Sequence, residues 1–217
     1  MMSNLYRFAA MGAFLCAGMA ASASFAQSPS PSLDPETAQK FTAFVTSPGY
    51  FQFLQERLPQ VEPAPSRATC DDIKPVQRKR FALLTPPVFV GDAMQPSAGA
   101  WIDRLSVSRC GTETVRTIVV AVKETTLQVG GLLPGDTIAS MTLQRDAVPA
   151  AEEQAKLKAG CGEKMQVVDT RADGEVKSGE PWKETWTLQG CGSVTIDVTM
   201  TFTPDEKGGA TFAATTP

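Results

Sequence analysis

The chain contains no histidine. This removes the usual general base near neutral pH, the commonest zinc ligand and any Ser-His-Asp relay. No Cys-x-x-Cys pair is present, so neither a redox dithiol nor a zinc ribbon is spelled out. There is no Walker sequence, and neither Gly130-Gly131 nor Gly208-Gly209 opens a helical pattern that could cradle a phosphate. No basic excess exists either: the formal net charge is −3, which argues against a nucleic-acid or anionic-membrane surface as the main partner. What survives is chemistry based on carboxylates, recognition through a few aromatic residues, or no catalysis at all. No cofactor or metal is expected.

Residues 1–26 read as an export signal. Arg7 is their only charge, FAAMGAFLCAGMA is the apolar segment, and Ser24-Phe25-Ala26 supplies a small-x-small cleavage site. Cleavage near Ala26, with Ala23 as second choice, makes the mature protein periplasmic or secreted. The apolar segment is too short to span a bilayer, so no transmembrane segment is expected in the mature chain. Leu15 is not the small residue that lipid attachment at Cys16 would need, and Cys16 is read as ordinary signal sequence.

Residues 27–33 form a flexible Ser/Pro lead-in. Asp34-Pro35-Glu36 then predicts a helix N-terminus, with Phe41, Phe44 and Val45 on its apolar face. A second helix is expected over Tyr50–Leu58, followed by a Pro-rich crossing loop over 59–69. The pair is a poor DNA reader because it is exported and carries little basic charge. Lys74 to Arg80 reads as the solvated edge of a strand starting near Val76, rather than an anion site. Strands follow over the Trp101 segment and Val115–Val122, then an irregular connection and a strand over Thr137–Leu143. A helix is expected over Val148–Ala159, with Pro149 near its start and Gly160 as its C-terminal glycine. Met165–Thr170 and a last strand over Ala210–Thr215 complete the pattern.

The clearest stretch is WKETWTLQGCGSVTIDVTMTF, Trp182–Phe202. Val194, Ile196, Val198, Met200 and Phe202 alternate with polar residues, as do Trp182, Trp186 and Leu188, so two strands with one buried face meet at Gly190-Cys191-Gly192-Ser193. A fainter copy starts at Trp101. Trp101 matches Trp182, Asp103 matches Glu184, Leu105 matches Trp186, and Cys110-Gly111 matches Cys191-Gly192. GDTIASMTL (135–143) is likewise set against GGATFAATT (208–216). We read an internal duplication and an α+β fold: a helix plus a four-stranded antiparallel sheet, twice. The first unit covers 34–145 and the second 146–217.

Without Cys16 the cysteines number four, an even set suited to an oxidising compartment. Four cysteines allow three pairings. The duplication selects Cys70–Cys110 and Cys161–Cys191, each tying the start of a unit to its own hairpin turn.

Trp101, Trp182 and Trp186 are the candidate binding residues, with Asp103 and Glu184 beside them on the same strand faces. Tryptophans on a sheet stack sugars or anchor partners, or fill core. Two carboxylates could flank a glycosidic bond, or simply accept hydrogen bonds from indoles. The W-x-E-x-W-x4-C-G motif of residues 182–192, with the following strand, Pro-Asp turn, Gly-Gly and last strand, resembles a motif in exported proteobacterial proteins. That implies a setting but no activity. In outline, the duplicated plan with one disulfide per unit is similar to the secreted β-lactamase inhibitory protein, although no binding residues can be matched. The leading expectation is a non-enzymatic periplasmic module that binds another envelope or secreted protein through a sheet face. The alternatives are an inhibitor of a secreted hydrolase and a glycan-active carboxylate enzyme using Asp103 and Glu184.

Overall fold

In a computed structural model of the chain, residues 32–217 are described, apart from 71, 178 and 207. The export signal with its cleavage site near Ala26, Cys16, and residues 27–31 of the lead-in lie outside the described residues.

Helix α1 spans Pro35–Val45 and α2 spans Pro48–Val61. α1 begins as the sequence predicts, α2 begins at Pro48 rather than the expected Tyr50, and both have a proline in the first turn and a capping side chain. Asp34 accepts from the Thr37 N–H at 2.9 Å, and Ser47 accepts from the Tyr50 N–H at 3.2 Å. α2 runs through Pro59, and a short helix α3 (Ala64–Thr69) follows, so the expected crossing loop over 59–69 is mostly helical. Four strands come next: β1 (Ile73–Val88), β2 (Ala98–Arg109), β3 (Thr112–Lys123) and β4 (Thr126–Gly131). Then α4 (Met141–Ala159) leads into β5 (Gln166–Ala172), β6 (Trp182–Gly190), β7 (Val194–Pro204) and β8 (Ala210–Thr215). The strands form two four-stranded antiparallel sheets, each a simple meander in chain order. The fold is α+β.

Two expectations are corrected. The fourth strand of the first sheet is β4, at the stretch read as an irregular connection, and not Thr137–Leu143. The alternation of TIASMTL is misleading because Ser140 is a helix N-cap, accepting from the Leu143 N–H at 3.3 Å. α4 therefore starts at Met141, and position 146 falls inside it. Pro149 lies within the helix rather than at its start. It is exposed, so the carbonyl its ring leaves unbonded faces water, which lessens the usual cost of an interior proline. The counterpart of β8 is thus β4, and the match of 135–143 to 208–216 does not hold.

Each sheet is covered on one face. Phe41 and Phe44 of α1 and Tyr50, Leu54 and Leu58 of α2 pack on Trp101, Leu105, Val107, Ile118 and Val120. The second core sets the small side chains Ala147, Ala151 and Ala155 of α4 against Trp186, Leu188, Val198, Met200 and Phe202. Their four-residue spacing is one helix face, and small residues there let the helix lie close to the sheet. Gly160 ends α4 in the left-handed conformation, with φ 64°.

The Cys-Gly turns are alike. Cys110 and Gly111 have φ of 46° and 82°, and Cys191 and Gly192 have φ of 49° and 80°. Cys110 is bonded to Cys70 and Cys191 to Cys161, across 40 and 30 residues. The chain-entropy account gives each closure about 3.5–4 kcal/mol. Gly190 serves a different purpose from the one its neighbours suggest. Its φ is not positive, and a Cβ there would lie 2.6 Å from the Lys164 carbonyl oxygen.

The two sheets meet through the segment after β4. The Leu132 and Gly135 N–H groups donate to Thr117 and Val115 of β3, at 2.9 and 3.1 Å. One residue on, the Asp136 N–H donates to the Thr170 carbonyl of β5 at 2.6 Å, and Thr170 Oγ1 donates to the Pro134 carbonyl at 2.6 Å. Residues 132–137 are therefore hydrogen-bonded to β3 on one side and to β5 on the other. Asp136 pairs with Arg104 on the face of the first sheet away from its helices, while Thr137 reaches Glu184 on the helix-covered face of the second. Both covered faces thus lie on one side, and the sheets sit side by side.

Candidate functional site

The matched carboxylates lie in two different cores. Trp101, Asp103, Glu184 and Trp186 all have 0 % exposure. Asp103 belongs to the first sheet and Glu184 to the second, so no substrate reaches both. None of these four side chains offers a surface for a ligand; as placed, they hold the cores together.

Around Asp103 the donors form a chain. The Trp101 indole N–H donates to the Tyr50 hydroxyl at 2.9 Å, and that hydroxyl donates to Asp103 Oδ2 at 3.2 Å. Arg78 closes a two-pronged contact on the same carboxylate, at 2.8 Å for both Nε and Nη2, and also donates to the Val45 carbonyl at 3.1 Å. Its guanidinium stands 5.7 Å from the Tyr50 ring centre and 5.6 Å from that of Phe81. Burial, reinforced by the Asp103 carboxylate, holds the Tyr50 phenol far above its ordinary range. The hydrogen bond to Asp103 raises Arg78 further into its charged form. Arg78 was legible only as part of a solvated strand edge. It comes from the covered side of β1, where a charge is tolerated because a buried partner waits for it.

Around Glu184 every donor is neutral. Oε1 accepts from the Trp182 indole at 3.1 Å and from the Ile138 and Ala139 N–H groups at 3.1 and 3.2 Å. Oε2 accepts from the Trp186 indole at 2.7 Å and the Thr137 hydroxyl at 2.6 Å. The irregular stretch 137–139, misread as a strand, turns its backbone N–H groups onto this carboxylate. A carboxylate so enclosed positions side chains; it is not aimed at a reacting atom.

Trp182 differs from the other two tryptophans. It is partly exposed, stacks on Phe202 with ring centres 5.0 Å apart and planes 22° apart, and lines an open cleft of about 910 Å³. The cleft lies between the start of α4, the loop before β6 and the β7–β8 turn. Its other walls include Ile138, Asp146, Lys177, Glu180 and Asp205, none of which the sequence singled out. Their common location depends on three separate loops, so no local pattern could have grouped them. A smaller groove of about 450 Å³ runs between the units, from Val61–Ala64 to Met165. Beside it Glu62 makes a buried ion pair with Arg116 of β3, Arg116 Nη2 donating at 2.8 Å.

Among the described residues no group of three or more Cys, Asp or Glu side chains could hold a metal ion. Among them, too, no helix is long and apolar enough to cross a membrane.

The face of each sheet away from the helices is open. On the first it carries Ala82, Ala100, Ile102, Val119 and Ala121, with Arg80 and Arg104. On the second it carries paired threonines, Thr185 opposite Thr199, and Thr187 opposite Asp197. No family model matches the chain, and no curated protein and no solved structure matches it.

Proposed function

We propose that this is an exported, disulfide-stabilised, non-enzymatic binding protein whose open sheet face docks another protein of the envelope or the secreted fraction. The observation that carries the reading is the linker: by bonding to both β3 and β5 it sets two uncovered sheet faces side by side. The half-buried, small apolar side chains on the first sheet and the threonine ladder on the second can lie flat against a partner with little side-chain ordering cost. Two disulfides, each within one unit, suit the oxidising compartment that the leader implies. The burial of Asp103 and Glu184 in separate cores speaks against a carboxylate enzyme built on them. An ancestral duplication is supported by the equal strand order of the sheets, the like Cys-Gly turns and the buried acid at matching positions.

A second reading draws on the same layout. Two four-stranded units with one disulfide each fit the outline likeness to the β-lactamase inhibitory protein, which makes a secreted hydrolase a candidate partner. The test places a photo-crosslinking residue at Ile102 or Thr199 on the open face, and at Lys158 on α4 as control. A recurrent adduct from both face positions, and none from Lys158, is the expected outcome. Failure of both face positions to capture a common protein would sink the reading.

A further inference from the structure

We propose that the cleft beside Trp182 binds a neutral saccharide, with the indole as the stacking platform. The site is separate from the open sheet face, since Trp182 belongs to the helix-covered side, and it stands or falls independently of the docking proposal. Three observations combine. First, the ring is preset. One face of the indole lies on Phe202, and its N–H is tied to Glu184 at 3.1 Å, so its plane is fixed while it lines the cleft. A rigid aromatic plane at the base of an open cleft matches the apolar C–H face of a pyranose. Ile138, which is 46 % exposed, and Pro204 extend the apolar floor.

Second, the polar groups stand at the rim. Lys177 and Glu180 are exposed on the loop before β6, and Asp146 on α4 faces the same space. A sugar carries adjacent hydroxyls that both donate and accept, and a rim holding carboxylates and an ammonium can answer both. Third, the charges of the cleft are partly offset. Asp146 accepts from Arg145 at 2.9 Å, and Asp205 turns back on its own turn to accept from the Gly209 N–H at 2.8 Å. Lys177 adds a positive charge beside Glu180. With three carboxylates against Lys177 and the neighbouring Arg145, the cleft keeps a mild acidic field, which disfavours an anion and leaves room for a neutral, hydroxyl-rich ligand.

The volume of about 910 Å³ admits more than one sugar ring, so oligomers are the natural probes. Trp101 and Trp186 are fully buried, so a soluble quencher that cannot enter the cores reports on Trp182 alone. The experiment titrates the oxidised mature protein with tetra-N-acetylchitotetraose and, separately, maltotetraose, following protection of tryptophan fluorescence from acrylamide. Saturable protection by at least one saccharide is expected. It should be weakened about 5- to 10-fold in Lys177→Ala and in Glu180→Ala, whose exposed side chains leave the core untouched. Absence of protection by both saccharides, or affinity unchanged in both variants, overturns the proposal. Spermidine is the third probe. Protection by it alone, lost at high salt, would assign the cleft to a cation and equally overturn the saccharide.

Discussion

Replacing Glu184 should cost the fold more than replacing its sequence match Asp103, and the structure says how much. Five donors converge on its two oxygens. In Glu184→Gln one oxygen becomes an NH2 group. The best arrangement keeps the amide oxygen toward Ile138, Ala139 and Trp182 and turns the NH2 toward Thr137 and Trp186. The Thr137 hydroxyl can rotate to accept; the Trp186 indole N–H cannot, and it has no water to turn to at 0 % exposure. One orphaned buried donor costs about 1–3 kcal/mol, which for a chain of this size lowers Tm by roughly 3–10 °C. Glu184→Ala removes an acceptor from all five donors, of which the Ala139 N–H alone keeps another at Thr137 Oγ1, and opens a cavity, so a loss above about 4 kcal/mol is expected, at the extreme of single substitutions. Asp103→Ala should cost less, although the two acids match in sequence. Its main partner, Arg78, keeps 28 % side-chain exposure and can turn to solvent, whereas Thr137, Ala139 and Trp186 around Glu184 are buried. The assay is thermal and urea denaturation of the oxidised mature protein, with the urea slope unchanged to confirm that stability alone has moved. A Glu184→Gln protein that melts within 1 °C of the parent (about the noise of the assay) would refute the reasoning, as would Asp103→Ala proving the more damaging of the two alanine variants.

Tyr50 is the only tyrosine left once residues 1–26 are removed, so phenolate absorbance near 295 nm reports on it alone. Because its folded pKa is raised, its contribution to stability is full below about pH 10 and lost above it. No phenolate signal should therefore appear until the protein unfolds in alkali, and a reversible titration in the folded state would contradict the buried Trp101–Tyr50–Asp103 chain. Asp169 is raised by burial, so the folded state resists its ionisation and stability falls as pH rises through its folded pKa. Asp169→Asn should then be slightly more stable at pH 7, with the gain vanishing below about pH 4, where the parent is protonated in both states. Urea midpoints at the two pH values check this, the effect being small because the side chain is only partly desolvated. Gly135→Ala should destabilise by about 3 kcal/mol or more, since φ is 90° and a Cβ would overlap the backbone N and O of Thr170. Hydrogen exchange at Asp136 should rise with it if the linker joins the sheets as described. Non-reducing peptide mapping should return Cys70–Cys110 and Cys161–Cys191, and Ser replacement of either pair should cost about 3.5–4 kcal/mol in a urea melt.

Much of the framework was legible because it rests on local rules. The N-cap Asp34, the glycine after α4, and the alternation of β6 and β7 each depend on a few adjacent residues. The disulfide pairing was legible because the Cys-Gly turn recurs. The stretch 135–143 was not, because its polar alternation serves Glu184 from a distance, and a period-two pattern cannot distinguish a strand from a loop aimed at a buried acid. The candidate site was legible only in part. Sequence pattern put Trp101, Trp182 and Trp186 on covered strand faces, but only packing sets the first and last at 0 % exposure and leaves Trp182 at the mouth of a cleft. The rest of that cleft comes from loops far apart in the chain, and Arg78 found its partner across strands.

The order of the cysteines along the chain has a consequence for biogenesis. Cys16 aside, the first of the four pairs with the second and the third with the fourth, so the two loops neither nest nor cross. Each sheet is also a meander whose strands join only their chain neighbours. For a chain threaded N-terminus first into an oxidising compartment, every cysteine meets its proper mate before the next pair arrives. A plain thiol oxidase acting on the emerging polypeptide would suffice, with no shuffling enzyme needed to undo mistakes.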